Sequence, residues 1–267
     1  MLTRAGPKSF KSFKSSAFIA CCFASARPFA SAVEVERKFC PNDHSYQYLA
    51  INGYDKKRTR IHDIYYDRYG QLFQLGVYLR RRNGEWEGKI SVSGNYIDSV
   101  CTEILGADAV KEVIKRNLKI STDGKTIQEL LKPCAEFITD RQSWTLADHS
   151  TAPTPTLTPT PTFQSKLSVV IDESHSPSPS NPHFKHIVGE VEWTAPLFGA
   201  QRGNHLERIG KEKVEAVMRA HPQAFPRCGA GKLTVYFQTL SRRRKVTNFL
   251  MHILAKLGRT LRQHVGT

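Results

Sequence analysis

Polar and apolar side chains alternate along residues 33–38, Val-Glu-Val-Glu-Arg-Lys, which is the period of an extended strand. Glu34, Glu36 and Lys38 therefore share one face. Read alone, such a run is a charged strand edge guarded against aggregation. Further strand patterns fall at 61–67, 76–82, 85–92 and 98–104, with Asn83-Gly84 as a hairpin turn and Gly94-Asn95 as a second turn. The period lengthens to that of a helix over about 106–119 and 125–137, then returns to that of strands over about 138–148, 164–173, 186–194 and 231–240. Between the last two strands a helix is predicted, with Asn204 as its N-cap and Leu206, Ile209, Val214 and Val217 as its apolar stripe. Two Pro/Ser/Thr-rich stretches, 150–162 and 176–182, cannot join a ladder and read as lengthened hairpin loops.

Many antiparallel strands with few helices predict a mainly β fold with flanking helices (α+β), its sheet closed into an antiparallel barrel. The alternating faces are charged on several strands. Tyr78, Arg80 and Arg82 share a face, as do Glu85, Glu87 and Lys89, as do Glu190 and Glu192, and Lys232 opens another alternating run. A barrel interior lined this way must hold water, ions or a ligand, because unpaired buried charge is too costly.

Taken in order, the Glu34-Val35-Glu36-Arg37-Lys38 segment, Ile64-Tyr65-Tyr66-Asp67, Leu79 to Arg82, Thr139-Asp140-Arg141, Gly189 to Glu192 and Lys232 to Tyr236 resemble the CYTH superfamily of triphosphate tunnel enzymes, most of all its thiamine-triphosphatase branch. The resemblance spans about residues 33 to 240. It implies an eight-stranded antiparallel barrel around a tunnel, and a divalent metal, Mg2+ or Mn2+, on Glu34, Glu36, Asp172, Glu190 and Glu192. It also implies triphosphate contacts from Lys38, Arg80, Arg82, Lys89, Arg141 and Lys232, with Glu36, Glu192 and Lys38 catalytic. Parity puts Tyr78 on the Arg80 face, where it is a candidate to stack on the substrate's ring or simply to pack. Glu87 and Glu103 are expected to orient the cations, and Asp67 to be a turn residue at a strand end. One departure is Val170, where that branch often carries a second acidic residue two before the position of Asp172. The implied reaction is hydrolysis of the terminal phosphoanhydride of an organic triphosphate, thiamine triphosphate first. Inorganic tripolyphosphate, an RNA 5′-triphosphate and a nucleotidyl cyclase reaction are enzymatic rivals, and a noncatalytic polyphosphate- or nucleotide-binding module is the rival of another class.

Charge adds localisation more than chemistry. The formal net charge is +15, but residues 1–31 hold five basic and no acidic residues and residues 241–267 hold seven and none. The body, 32–240, is nearly balanced, so DNA is not expected as a partner and RNA is disfavoured. The N-terminal tail, rich in Ser, Ala and Phe, fits a mitochondrial transit peptide, with an untargeted cytoplasmic tail as its alternative. Residues 246–265 carry leucines and Ile253 at helical spacing among basic residues, predicting an amphipathic helix that packs on the body or makes weak contact with an anionic membrane surface. A monomer is expected. Six cysteines lack any CxxC spacing, and the ten histidines show no zinc-ligand spacing, His183 and His186 being read as solvated. Gly229 to Leu233 superficially looks like a P-loop, but it lacks the first glycine, has Leu for Ser/Thr, and leads into a predicted strand.

Overall fold

The computed structural model describes residues 31–94, 98–147, 165–179, 181–197, 203–227 and 230–241. The two basic tails up to residue 30 and beyond 241, and the whole 150–162 insert, lie outside the described residues. Eight strands appear in chain order: β1 (Ser31–Phe39), β2 (Gly53–Asp67), β3 (Val77–Arg82), β4 (Glu85–Gly94), β5 (Asp98–Leu105), β6 (Lys132–Leu146), β7 (Lys166–His175) and β8 (Lys185–Pro196). Between and after them lie α1 (Asp43–Asn52), α2 (Gln71–Gln74), α3 (Ala107–Leu118), α4 (Ile127–Leu130), α5 (Gly203–Ala220) and a further helix, α6, over 232–241. The strands close into a barrel in the order β1-β5-β4-β3-β2-β6-β7-β8, every neighbouring pair antiparallel. Closure leaves no open edge around the ring, so the charge on β1 is not an edge guard.

The outer faces of the strands carry the apolar core. Val33, Val35, Val169, Val191 and Trp193 are buried under α5, whose Val214 and Met218 face them. Gly210 permits that approach, since a Cβ there would sit 2.5 Å from both Trp193 and Val35. A second cluster packs Val77, Leu79 and Ile104 against Val110 and Ile114 of α3 and Ile127 of α4. The third is different. Tyr65, Ala135 and Phe137 pack with Phe184 and with Tyr236 of α6, so an aromatic cluster fills one end of the barrel.

Two predicted elements are corrected. The helix expected over 125–137 stops at Leu130 and β6 begins at Lys132, because Pro133 biases its predecessor toward extended backbone and cannot donate within a helix. A capping box between Thr126 and Glu129 defines the short turn that remains. The strand expected over 231–240 is helix α6: Leu233, Tyr236, Phe237 and Leu240 recur at helical spacing, and a closed eight-stranded ring offers no edge to a ninth strand. Asn204 is not an N-cap, since the helix already includes Gly203. Three elements went unread: α1, capped by Asn42 through Ser45, the single turn α2, and the first half of β2.

Candidate active site

Cross-strand neighbours in an antiparallel sheet point to the same side, so the register states which residues face the interior. Glu36 lies opposite Ser99 on β5 and Glu192 on β8; Glu34 lies opposite Cys101 and Thr194; Lys38 lies opposite Glu190. Across the ring, Arg80 is opposite Glu87 and Tyr65, Arg82 is opposite Asp63, Lys89 is opposite Glu103, and Arg141 is opposite Asp172. The charged alternation of the strands therefore converges on one lumen.

Of the five acidic residues expected to hold a metal, three come together. Single carboxylate oxygens of Glu34, Glu36 and Glu192 lie within 4.8 Å of one another, and all three residues are buried. Their hard oxygen donors fit Mg2+ or Mn2+. Glu190 stands beside this cluster and pairs with Lys38 at 3.1 Å. Asp172 is placed apart, in a two-pronged bond to Arg141 at 2.6 and 2.8 Å, with Lys232 at 3.9 Å. The carboxylate cluster is itself held by cations: Lys38 bonds Glu36, and Lys89 reaches Glu34 at 2.7 Å and Glu36 at 3.3 Å. Ser99 donates to Glu36 at 2.8 Å.

The expected phosphate contacts all reach the interior. Arg80 bonds Glu87 at 2.8 and 2.9 Å and the Tyr65 hydroxyl at 3.3 Å. Arg82 forks onto Asp63 at 2.8 and 2.9 Å. Lys232 arrives not from a strand but from the first turn of α6, bonding Asp63 at 3.3 Å with its ammonium over the Phe137 ring. Glu103 lies 3.6 Å from Lys89, the orienting position expected of it. Tyr78 shares the face of Arg80 but packs on Phe73 of α2, centroids 5.5 Å apart. His186 is not solvated; its ring meets the Ala230 carbonyl at 3.2 Å.

Asp63 was missed by the sequence reading. It is fully buried and joins Arg80, Arg82 and Lys232. The signal was present: Ile61, Asp63, Tyr65 and Asp67 alternate with the rest of β2, so Asp63 had the parity of the lumen. Asp67 does end the strand as expected, accepting from the backbone of Arg68, Leu72 and Phe73 and so anchoring α2. For Gly229 to Leu233, a helix does follow, contrary to expectation; the missing first glycine and the Leu still exclude a P-loop.

Burial sets opposing forces on these groups. Glu34 is pushed well above the ordinary carboxylate range by burial, aided by Glu103, Glu36 and Glu192 and only partly opposed by Lys89. For Glu36 burial acts upward too, but Lys38 and Lys89 outweigh it and hold the carboxyl well below that range. Glu192 is pushed up to about 8 by burial together with Glu190 and Glu36, against the pull of Arg141 and Lys89. Burial also works against an ionised Asp63, yet Arg82, Arg80 and Lys232 keep its carboxyl below the usual range. Ionised and proton-holding carboxyls thus sit side by side, the arrangement expected where a cation can displace a proton.

No family model and no curated protein matches this chain. Solved structures do. HpAC1 from Hippeastrum, described as a candidate adenylyl cyclase with a dominant triphosphatase activity, is 14% identical over 78% of this chain and 95% of its own, with a TM-score of 0.45. A candidate adenylate cyclase from Bacillus halodurans is 12% identical over 78% of this chain and 99% of its own, with a TM-score of 0.39. The Mediator head module of Schizosaccharomyces pombe is 9% identical over 71% of this chain and 95% of the matched chain, also with a TM-score of 0.39. Descriptions this different at such low similarity leave the chemistry to be read from the side chains themselves.

Proposed function

We propose that the protein hydrolyses the terminal phosphoanhydride of an organic triphosphate with the help of a divalent metal, thiamine triphosphate being the first substrate to assign. One observation carries the reading: carboxylate oxygens of Glu34, Glu36 and Glu192 within 4.8 Å of one another, inside a closed barrel that also directs Lys38, Arg80, Arg82, Lys89, Arg141 and Lys232 inward. A barrel built only for stability would fill that space with apolar side chains, since buried ion pairs rarely repay their desolvation. Thiamine as the organic part rests on the resemblance of the motifs alone.

Glu34, Glu36 and Glu192 would hold Mg2+ or Mn2+, which when bound offsets the triphosphate charge and polarises its phosphorus–oxygen bonds. The chain's own residues supply the rest. Arg80, Arg82 and Arg141 present planar forks to phosphate oxygens, kept in orientation by Glu87, Asp63 and Asp172. Lys38, Lys89 and Lys232, now on carboxylates, exchange them for phosphate oxygens as substrate enters. Water attacks the terminal phosphorus as the bond to the bridging oxygen breaks, and Glu36 and Glu192 orient that water while Lys38 stabilises the transferred group. Phosphoryl transfer asks chiefly for such positioning and charge stabilisation.

The test is phosphate release from thiamine triphosphate, tripolyphosphate, ATP and triphosphorylated RNA with Mg2+ or Mn2+. Metal-dependent release, fastest from thiamine triphosphate, is expected. Tripolyphosphate as much the best substrate would move the assignment to an inorganic triphosphatase. Tight binding of all four without release would make the barrel a noncatalytic binding module.

A further inference from the structure

Strand β2 carries one more residue than its partner near the end of the barrel away from α6. Tyr54 lies opposite Thr145 and Lys57 opposite Ser143, so three steps along β2 match two along β6. Asp55, at a left-handed φ of 55°, is where the strand turns out of register. Positions three apart in a regular strand face opposite sides. Here the bulge brings Tyr54 and Lys57 to the same face, the one that forms the lumen.

The ladder ties that face to the carboxylates. Tyr54, Thr145, Ser168, Glu192 and Glu36 are successive cross-strand neighbours, a single row across β2, β6, β7, β8 and β1. The adjoining row runs Lys57, Ser143, Val170, Glu190 and Lys38. With strands about 4.8 Å apart, Tyr54 is about 14 Å along the sheet from Glu192, less across the curve of the barrel. That span suits an extended triphosphate with its ring at one end. Hydroxyls of Thr145 and Ser168 line the path between.

The rim is also available. Tyr54 is 54% exposed, whereas Tyr78 is packed on Phe73. Lys57 pairs with Asp55 at 3.2 Å, their side chains 63% and 53% exposed. Lys166, opposite Thr194 and two residues before Ser168 on the same face, is exposed and carries no ion pair among the described residues.

We infer that this rim is the subsite for the organic end of the substrate, with Tyr54 stacking on an aromatic ring and Lys57 and Lys166 contacting the phosphate nearest it. The inference rests on the triphosphatase reading and names the residues that would set its specificity. A stacked aromatic pair contributes modestly, so replacing Tyr54 by Ala should cut selectivity by about 3- to 10-fold. The measurement is the ratio of kcat/KM for thiamine triphosphate to kcat/KM for tripolyphosphate, in wild type, Tyr54→Ala, Tyr54→Phe, Tyr78→Ala and the Lys57→Ala/Lys166→Ala double variant. The ratio should fall in Tyr54→Ala through a higher KM for the organic substrate and recover in Tyr54→Phe, whereas the double variant should raise KM for both compounds, since both carry that phosphate; unchanged KM values there would overturn the part given to the two lysines. An unchanged ratio in Tyr54→Ala, or a fall confined to Tyr78→Ala, overturns the inference while leaving the triphosphatase reading intact. A wild-type protein that hydrolyses neither compound overturns both.

Discussion

At the scale of single residues, the carboxylates divide by what burial leaves them. Glu36 is ionised because two ammonium groups touch it; Glu192 keeps its proton near neutrality because burial penalises its charge and Glu190 and Glu36 add to that. Glu36→Gln and Glu192→Gln preserve volume but remove a carboxylate that a metal would need, so each should lower kcat on the order of 100-fold or more. Glu192→Gln replaces a carboxyl that already holds its proton and should leave the melting temperature nearly unchanged, whereas Glu36→Gln takes a partner from Lys38 and Lys89 and should lower it. Single-turnover phosphate release beside a thermal melt checks this, and wild-type rates in either variant would remove it from the site. Asp63 makes the opposite kind of case. Its carboxylate is fully buried and depends on Arg82 for two hydrogen bonds. Arg82→Ala would leave that charge with Lys232 and the more distant Arg80 and should cost about 3 kcal/mol, read as a lower urea midpoint. Because the Asp63 carboxyl titrates lower in the folded state than when unfolded, its contribution is complete above the unfolded value near about 4 and is lost as the pH falls further.

At the scale of elements, close approach matters more than propensity. Gly189 of β8 lies under the Phe39 ring at the end of β1, and a Cβ there would meet ring carbons at 2.2 to 2.5 Å. Phe39 is fully buried and packs edge-on against Phe225, so it has little room to yield. Gly189→Ala should therefore destabilise by about 1–3 kcal/mol, measurable by chemical denaturation, although Gly to Ala is favourable in most strands. The elements also show where periodicity was legible. Strands β1, β3 and β8 alternate cleanly, whereas the β4–β5 ladder slips between Ser91 and Ser93 and β7 runs through Val169, Val170 and Ile171 without a polar break. For α6, Leu233, Val235, Tyr236 and Phe237 match a strand and a helix about equally well over so short a run. The choice between them was made by the barrel, which had no edge left to pair.

At the scale of the molecule, the lumen inside the exposed rim of Lys57 and Lys166 holds, among the described residues, more carboxylates than cations: Glu34, Glu36, Asp63, Glu87, Glu103, Asp172, Glu190 and Glu192 face Lys38, Arg80, Arg82, Lys89, Arg141 and Lys232. A divalent cation that binds only the folded barrel stabilises it, by about 2.7 kcal/mol at a hundredfold excess over Kd. The pH dependence has a definite sign. Glu34 and Glu192 titrate above their unfolded values, so between about pH 5 and pH 8 the folded state holds more protons and metal-free stability falls as pH rises. A metal ion must displace those same protons, so its stabilisation grows over that range and levels off above about 8. Thermal melts with and without Mg2+ across this range should diverge as pH rises. Curves that stay parallel would mean that no cation occupies the cluster, and the divergence should shrink in Glu192→Gln, where only Glu34 still has a proton to give up.

Local periodicity was enough to indicate a charged-lumen barrel and to put Glu34, Glu36, Lys38, Arg80, Arg82, Lys89, Glu190 and Glu192 on its inner face, because a side chain in a strand has only two sides to choose from, while Arg141 was named by the resemblance alone. It was not enough to say which of them meet. Glu34, Glu36 and Glu192 cluster while Asp172 goes to Arg141, and that partition follows from the stagger of strands distant in sequence. The same holds for Lys232, delivered by a helix instead of a strand, and for Tyr54, whose face depends on one bulged residue. Parity is a property of neighbours along the chain; distance across the barrel is set only when the sheet closes.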